Sequence, residues 1–308
     1  MRSEIHEKMS EGKDEDTNKM MICASCGAAG GDDIKLKDCD DCDLVRYCSD
    51  KCQDDHRPQH KEECKKRAAE LHDEILFKQP ESTHLGDCPI CCVPLSIDPS
   101  QSGMYSCCSK LICIGRDHAN TTRELERRLR QKCPFCRKNL PKTKEEYNSR
   151  MIERVEANDP IAICNMGTIK GDEGDYRAAF DYFSRAAVLG DTKAHFQLSC
   201  SYGGGKGVGK DEKKQIHHLT EAAIGGHPLA RRNLAYLEGE HHRMDRAVKH
   251  YIIASKLGCD DSLKCVRDLC KDGHASKEDY AAALRGYQAA IDATKSPQRE
   301  EAYEFLRK

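Results

Sequence analysis

The sequence predicts an all-α solenoid of helix pairs, preceded by two small cysteine-rich modules. The cysteines are unevenly placed, since 15 of the 20 precede residue 140. Beyond Pro141 almost every segment has the apolar spacing of an amphipathic helix. Landmark residues in that half recur every 32 to 36 residues, which is the period of stacked helix pairs.

The composition fits a folded chain without a large net charge. Its 308 residues, 33% charged and 38% apolar, allow two or three domains with their own cores. Fifty basic and 52 acidic residues give a formal charge of −2, so no strong field favours nucleic acid or an anionic membrane. We therefore predict neither a nucleic-acid partner nor a membrane partner.

The start of the chain indicates a cytoplasmic or nuclear protein. Residues 1–19 are charged and lack the apolar stretch of a signal peptide, and no later stretch approaches the about 20 apolar residues of a membrane span. Cysteines in a reducing compartment rarely form disulfides, so repeated Cys-x-x-Cys pairs predict metal sites. Residues 1–20, rich in Glu, Lys and Asp, are predicted to be a disordered tail.

The first cysteine-rich module has eight candidate metal ligands. In each Cys-x-x-Cys pair a tight turn can aim two sulfurs at one ion. Closed sets of four thiolate or imidazole ligands prefer zinc, so eight ligands predict two zinc ions. The predicted ligands are Cys23, Cys26, Cys39, Cys42, Cys48, Cys52, His60 and Cys64.

This spacing, with Tyr47-Cys48-Ser49, Cys52-Gln53 and His60-Lys61, resembles the MYND zinc finger, which we assign to residues 21–67. The resemblance implies interleaved ligation. One ion would take Cys23, Cys26, Cys48 and Cys52, and the other Cys39, Cys42, His60 and Cys64. MYND fingers dock short proline-containing peptides in a groove, so the resemblance also implies a protein or peptide partner. The chain departs from the family in having no tryptophan, which MYND fingers commonly carry near Arg57.

A helical linker is predicted at residues 68–86. Apolar residues on one side of this segment include Leu71 and Leu76, and the helix is expected to end before Pro80.

The second cysteine-rich module is predicted at residues 87–141. It begins with Cys88-Pro89-Ile90-Cys91 and ends with Cys133-Pro134-Phe135-Cys136-Arg137, and these brackets resemble a RING finger. The resemblance implies that Ile90 and Pro134 meet a ubiquitin-conjugating enzyme and that Arg137 contacts ubiquitin. A RING finger positions a charged thioester for attack and does no covalent chemistry of its own.

The middle of the second module departs from the RING pattern. Arg116 stands where a ligand is expected after Cys113, and Lys110 stands where histidine is usual. We assign two ligand sets. One ion takes Cys88, Cys91 and Cys113 with His118 as the substitute; the other takes Cys108, Cys133 and Cys136, with Cys107 as an awkward fourth ligand because it neighbours Cys108. One or two further zinc ions are therefore predicted here.

Residues 142–308 are predicted to be helix-pair repeats. One frame places an apolar residue, an alanine and a glycine at offsets of 36, 32 and 36 residues. Its members are Phe183, Ala186, Gly190; Leu219, Ala222, Gly226; Tyr251, Ala254, Gly258; and Tyr287, Ala290, Thr294. A second frame marks the other helix of each pair, at Ala162/Met166, Ala194/Leu198, Ala230/Leu234 and Ser262/Val266. Because such units bury their apolar faces only by stacking, the pattern predicts an α-solenoid.

These landmarks, with Tyr202-Gly203 and the junction Gly226-His227-Pro228, resemble Sel-one-like repeats, which are relatives of the tetratricopeptide repeat. The whole order of modules resembles a family of mostly uncharacterised algal proteins with MYND, RING-like and repeat segments. This resemblance supports the order of the domains.

Two functions are compatible with these modules. The first is a zinc-binding adaptor whose modules and repeats recruit other proteins. The alternative is a RING-type ubiquitin ligase that holds its substrate on the solenoid and a ubiquitin-conjugating enzyme on the RING-like module. No nucleophile elbow, His-Glu-x-x-His or dinucleotide fingerprint is present, so no catalytic residue is predicted.

Overall fold

The computed structural model describes residues 22–307, and it divides the chain into two compact units, Met1–Leu76 and Phe77–Lys308. The tail predicted to be disordered, residues 1–20, lies outside the described residues. The finer domain boundaries at 67/68, 86/87 and 141/142 remain predictions. No helix within residues 22–307 is long and apolar enough to cross a lipid bilayer.

The first unit is built on one small hairpin and one long helix. Strands β1 (Lys37–Asp38) and β2 (Arg46–Tyr47) pair antiparallel. Helix α1 (Asp50–Leu76) follows, so the last helix of the finger and the helix predicted in the linker are continuous. Pro58 lies inside α1. Because proline has no N–H, the carbonyl of Asp54 has no helical donor there.

The second unit contains a hairpin and a helix that lie between the Cys88/Cys91 and Cys133/Cys136 loops in sequence. After a short 3-10 helix (Pro99–Gln101), strand β3 (Ser102–Tyr105) pairs antiparallel with β4 (Lys110–Cys113). Helix α2 (Ile114–Glu126) starts directly after β4 and takes Cys113 as its N-cap. The hairpin therefore places Cys107 and Cys108 in its turn and Cys113 at its opposite end.

Residues from Lys144 onward form ten helices within the described part of the chain. They are α3 (Lys144–Glu156), α4 (Pro160–Asp172), α5 (Tyr176–Val188), α6 (Thr192–Gly204), α7 (Glu212–Ile224), α8 (Pro228–Glu240), α9 (Met244–Lys256), α10 (Asp260–Lys271), α11 (Lys277–Ala293) and α12 (Pro297–Leu306). Each helix from α3 to α10 packs against the next one, and α12 packs against α2. The predicted solenoid of helix pairs is confirmed.

Prolines and glycines mark the start and the end of several repeat helices. Prolines occupy the first turn of α4, α8 and α12, where a missing N–H costs nothing. Glycines just beyond α5, α7 and α9 have positive φ angles of 84°, 80° and 90°. A side chain at such an angle would be strained, so these glycines end the helices.

The repeat core consists of apolar side chains at the positions of the two sequence frames. One cluster joins Ala162, Phe183, Ala186, Ala194 and Leu198, all of them buried. Small residues at these positions let neighbouring helices approach closely. The stability of this half therefore comes from stacked apolar faces.

Candidate metal centres

The first cluster of potential ligands joins the start of the first unit to β2 and α1. Cys23, Cys26, Cys48 and Cys52 bring their sulfur atoms within 4.8 Å of one another. The Sγ of Cys48 is 3.6 Å from that of Cys26 and 3.6 Å from that of Cys52. Two isolated bridges, Ile22 with Ala29 and Cys23 with Arg46, hold the first pair beside β2.

The second cluster joins the hairpin to the middle of α1. It consists of Cys39, Cys42, His60 and Cys64. His60 and Cys64 are four residues apart on α1 and therefore lie on one face of the helix. The Sγ of Cys39 lies 3.7 Å from that of Cys64, and the Sγ of Cys42 lies 3.2 Å from Nε2 of His60. These two clusters are the two sets of four that the MYND resemblance implied.

The spacing of the sulfur atoms fits tetrahedral zinc. Two thiolates about 2.3 Å from one zinc ion, at two corners of a tetrahedron, are about 3.8 Å apart. The distances between sulfurs in both clusters, 3.6 to 3.7 Å, lie close to this value. Zinc bound here would be structural, because each cluster already supplies four ligands and leaves no open coordination position for a substrate or water.

Among the candidate ligands of the first unit, the surroundings favour the ionised form of Cys23, whereas burial raises the pKa of Cys42 and of Cys64 and the Cys26 side chain raises that of Cys48. Burial raises the pKa of Cys23, but backbone N–H groups of Cys26, Cys48 and Ser25 outweigh it and lower the pKa to about 6. A thiolate rather than a thiol binds metal, so this position is prepared for an ion.

Two histidines on α1 have different roles. The Nδ1 of His60 lies 3.9 Å from a carboxylate oxygen of Glu63, on the side of the ring away from the cluster. His56 is outside the cluster: its Nδ1 is 3.0 Å from the hydroxyl of buried Tyr47, and its ring stacks on that of His60. Sequence spacing gave no signal for this support, because it depends on the packing of α1 against β2.

The third cluster lies in the second unit and includes both neighbouring cysteines. Cys107, Cys108, Cys133 and Cys136 bring their sulfurs within 4.8 Å of one another. The Sγ of Cys107 is 3.3 Å from that of Cys136, and the Sγ of Cys108 is 3.8 Å from that of Cys133. Neighbouring side chains in a strand point to opposite faces. Here they lie in the turn between β3 and β4, which is why both reach the cluster.

The fourth cluster contains three cysteines, Cys88, Cys91 and Cys113, with the sulfurs of Cys91 and Cys113 at 3.8 Å. The structure does not bring His118 to it. The ring of His118 instead packs against that of Phe305, with centroids 4.7 Å apart. The reason is helical geometry, because five residues along α2 turn the side chain about 140° away from Cys113.

Arg137 is held inside the second module. Its guanidinium donates to Oδ1 of Asn120 and to Oε1 of Glu124, each at 2.8 Å. Burial raises the pKa of Glu124, but the N–H of Lys132 and the charge of Arg137 together hold it below its ordinary value. The guanidinium that the RING resemblance assigned to ubiquitin therefore has two partners within the module.

A groove runs along α1 in the first unit, beside the second cluster. It has a volume of about 810 Å³. Cys39, His60 and Cys64 contribute to its wall, and Tyr47, Gln53, Arg57 and Pro58 line it as well. Because the same residues form a metal cluster, the shape of the groove depends on that cluster.

Comparison with known proteins agrees with the geometry of the first unit. The family model of the MYND finger matches residues 23–64, so this segment is a MYND zinc finger. No match was found among curated proteins.

Two solved structures are similar to the repeats. One is a Sel1 repeat protein from Oxalobacter formigenes, with 26% identity and a TM-score of 0.44, over 50% of this chain and 66% of that one. The other is c5321, a protective antigen present in uropathogenic Escherichia coli strains that displays an SLR fold. Its identity is 22% and its TM-score 0.40, and the match covers 55% of this chain and 36% of that one. In both comparisons this chain spans less than two thirds of the other protein.

Proposed function

We propose that this chain is a zinc-dependent adaptor whose MYND finger binds an extended peptide segment of a protein partner. The observation that carries this proposal is the groove along α1, whose wall includes three ligands of the second cluster. In this proposal the finger holds two zinc ions and the second unit holds up to two more, at the third and fourth clusters. The cytoplasm or nucleus, where thiols stay reduced, would be the compartment.

The lining of the groove suits a peptide better than a small charged metabolite. Exposed Pro58 and the aliphatic stem of Arg57 supply apolar surface, while Asp54 and Arg57 supply charges of both signs. The carbonyl of Asp54 is freed from the helix by Pro58 and can accept an N–H from a bound main chain. No tryptophan is present, so the apolar contact must come from Pro58 and the stem of Arg57, with buried Tyr47 supporting the floor of the groove.

The helix pairs supply a second surface in this proposal. Repeat solenoids present long faces built from many units, and such faces commonly bind other proteins. A finger that holds one segment and a solenoid that holds another give an adaptor two points of attachment, which raises overall affinity through effective concentration.

The test is a screen of a peptide library against the full-length, zinc-loaded chain, followed by titration of the best peptide. Gln53→Ala and Arg57→Ala should each weaken binding about tenfold, which is about 1.4 kcal/mol. Lys51→Ala is the matched control, since Lys51 is exposed on the same helix but does not line the groove. Binding that resists both groove variants, or that persists after zinc is removed from the finger, contradicts the proposal.

A further inference from the structure

The fourth cluster differs from the other three in its number of protein ligands. Within residues 22–307 it brings together three thiols and no fourth metal-binding side chain. Cys88 and Cys113 are buried, so this is an enclosed site. Its sulfur spacing of 3.8 Å between Cys91 and Cys113 matches the value for two thiolates on one tetrahedral zinc ion.

A buried arginine from the far end of the chain lies against this cluster. Arg299, on α12, is only 5% exposed. Its Nη2 donates to the Sγ of Cys91 at 3.6 Å and to the carbonyl oxygen of Val93 at 2.9 Å. Its Nη1 donates to the carbonyl oxygens of Pro94 and Thr294, at 2.6 and 2.7 Å. The guanidinium therefore binds the loop that follows Cys91 as well as the sulfur itself.

The charges explain why a cation is buried here. Three thiolates and one Zn²⁺ carry a net charge of −1, and one guanidinium brings the total to zero. Burying an unpaired charge is costly, so the site and Arg299 each make the other's burial acceptable. A neutral fourth ligand such as water preserves this balance.

We propose that Cys88, Cys91 and Cys113 bind one zinc ion through three thiolates, that a small exogenous ligand completes the coordination, and that Arg299 couples this site to the docking of α12. The site is thus an open zinc site, unlike the closed sets of four elsewhere in the chain. It concerns the second unit alone and holds whether or not the MYND finger binds a peptide.

The contact between α2 and α12 makes the coupling physically reasonable. A Cβ placed on Gly115 would lie 2.8 Å from the backbone nitrogen of Arg299 and 2.9 Å from the carbonyl carbon of Gln298. The first turn of α2, which begins at the ligand Cys113, is therefore in close backbone contact with the start of α12. A change in position of α12 moves Arg299 relative to the cluster.

The position of Arg116 offers a way to close the site. Cys113 is the N-cap of α2 and Arg116 is its third helical residue, two positions whose side chains lie close together at a helix start. The substitution Arg116→Cys would add a fourth thiolate there. It should convert the open site into a closed one and remove the effect of exogenous ligands.

The first measurement is the zinc content and affinity of the full chain, by native mass spectrometry during titration with a competing chelator. Wild type should hold four zinc ions. In Arg299→Ala one of them should bind about 10- to 100-fold more weakly, the usual cost of losing an outer-shell partner of a metal ligand. Arg299→Lys keeps the charge but loses the paired N–H groups, so its zinc affinity should lie between that of wild type and that of Arg299→Ala. Arg307→Ala is the control, because Arg307 is on the same segment but lies over the ring of Tyr303.

The second measurement uses cobalt in place of zinc and imidazole, a neutral ligand, as the probe. Imidazole should change the visible absorption of the cobalt-loaded wild-type chain and of Arg299→Lys, but not that of Arg116→Cys. Three zinc ions in the wild type, no imidazole response in the wild type, or a response that survives in Arg116→Cys overturns the open site. Equal zinc affinity in wild type and Arg299→Ala overturns the role of Arg299.

Discussion

The MYND finger and the helical repeats are both compact, yet different forces hold them. The buried core of the finger is Cys23, Cys39, Cys42 and Tyr47, three of which are candidate metal ligands. The core of the repeats combines alanines with larger apolar side chains, among them methionine, isoleucine, leucine and phenylalanine, which stack between helices. A short segment with few apolar residues therefore relies on metal ligands, while a longer one relies on apolar area.

Because of this difference, zinc should be needed to fold the finger but not to fold the repeats. In a finger of this size the free energy of zinc binding is the free energy of folding. Each helix pair of the repeats needs only its neighbours. The predictions below test this contrast, starting with the largest expected effect.

Removal of one ligand should unfold the finger and spare the repeats. Structural zinc contributes about 10–16 kcal/mol in zinc-finger peptides, far more than a small domain's net stability, so Cys39→Ala should lose the fold of the finger. Native mass spectrometry should show loss of zinc, and circular dichroism should keep the helical signal of the repeats. Cys200→Ala is the control, because Cys200 is exposed and belongs to none of the four clusters. A finger that stays folded in Cys39→Ala would contradict the claim that metal ligands, and not apolar packing, hold the finger together.

Overpacking the core of the repeats should have the opposite result to the loss of a zinc ligand. The repeats should lose stability while the finger keeps its zinc. Ala222 is fully buried on α7, so Ala222→Trp should destabilise the repeats by about 3 kcal/mol or more while zinc content stays at the wild-type value. Ala289→Trp, at an exposed position of α11, is the matched control. Equal melting temperatures for wild type and Ala222→Trp would show that this helix face is wrongly assigned.

The sequence predicted these two regions with different completeness. Helix starts at Pro160 and Pro228 and the buried frame at Ala186 and Ala222 follow from local spacing, which the chain itself displays. The two sets of four in the finger came from the MYND resemblance. In the second module spacing left Cys107 as an awkward fourth ligand, because the turn that brings it to the cluster is not visible in the sequence. Spacing did not place Arg299, because a contact between residues 208 apart in sequence brings it to the fourth cluster. The assignment of His118 as a ligand rests on its chemistry alone, and the direction of α2 turns its side chain away from the fourth cluster.

Acid should weaken the second unit through two stacked histidines. Burial lowers the pKa of His84 to about 4 and that of His227 to about 2, from an ordinary value of 6.5. Both groups stay neutral in the folded chain while the unfolded chain takes up protons below pH 6.5. Stability is therefore fully present above pH 6.5 and is lost as the pH falls, down to about pH 4 for His84 and about pH 2 for His227. At pH 5 each histidine accounts for about 2 kcal/mol.

The substitution His227→Asn isolates this effect. Asparagine keeps a side-chain acceptor for the N–H of Ala230, which His227 now caps, but does not titrate. Between pH 7 and pH 5 the variant should lose about 2 kcal/mol less stability than the wild type, measured by denaturant unfolding. His274→Asn, at an exposed site, is the matched control. Identical pH slopes for wild type and His227→Asn would contradict the assignment.

The smallest expected effect concerns ubiquitin transfer. Ile90 packs against the core of the second module, and Arg137 is held by Asn120 and Glu124. We expect no ubiquitin chains from either wild type or Ile90→Ala in autoubiquitination assays with a panel of conjugating enzymes. Robust chains that depend on Ile90 would instead favour the ligase alternative.

Hydrogen exchange of the full-length chain, with and without a zinc chelator, tests the central claim most directly. The claim is that zinc shapes the finger and its groove while stacked apolar faces hold the repeats. Chelation should remove protection throughout residues 22–67 and leave α4 to α9 protected as before. Unchanged protection around Tyr47, Gln53 and Arg57 after complete removal of zinc would contradict it, since the groove would then exist without the metal.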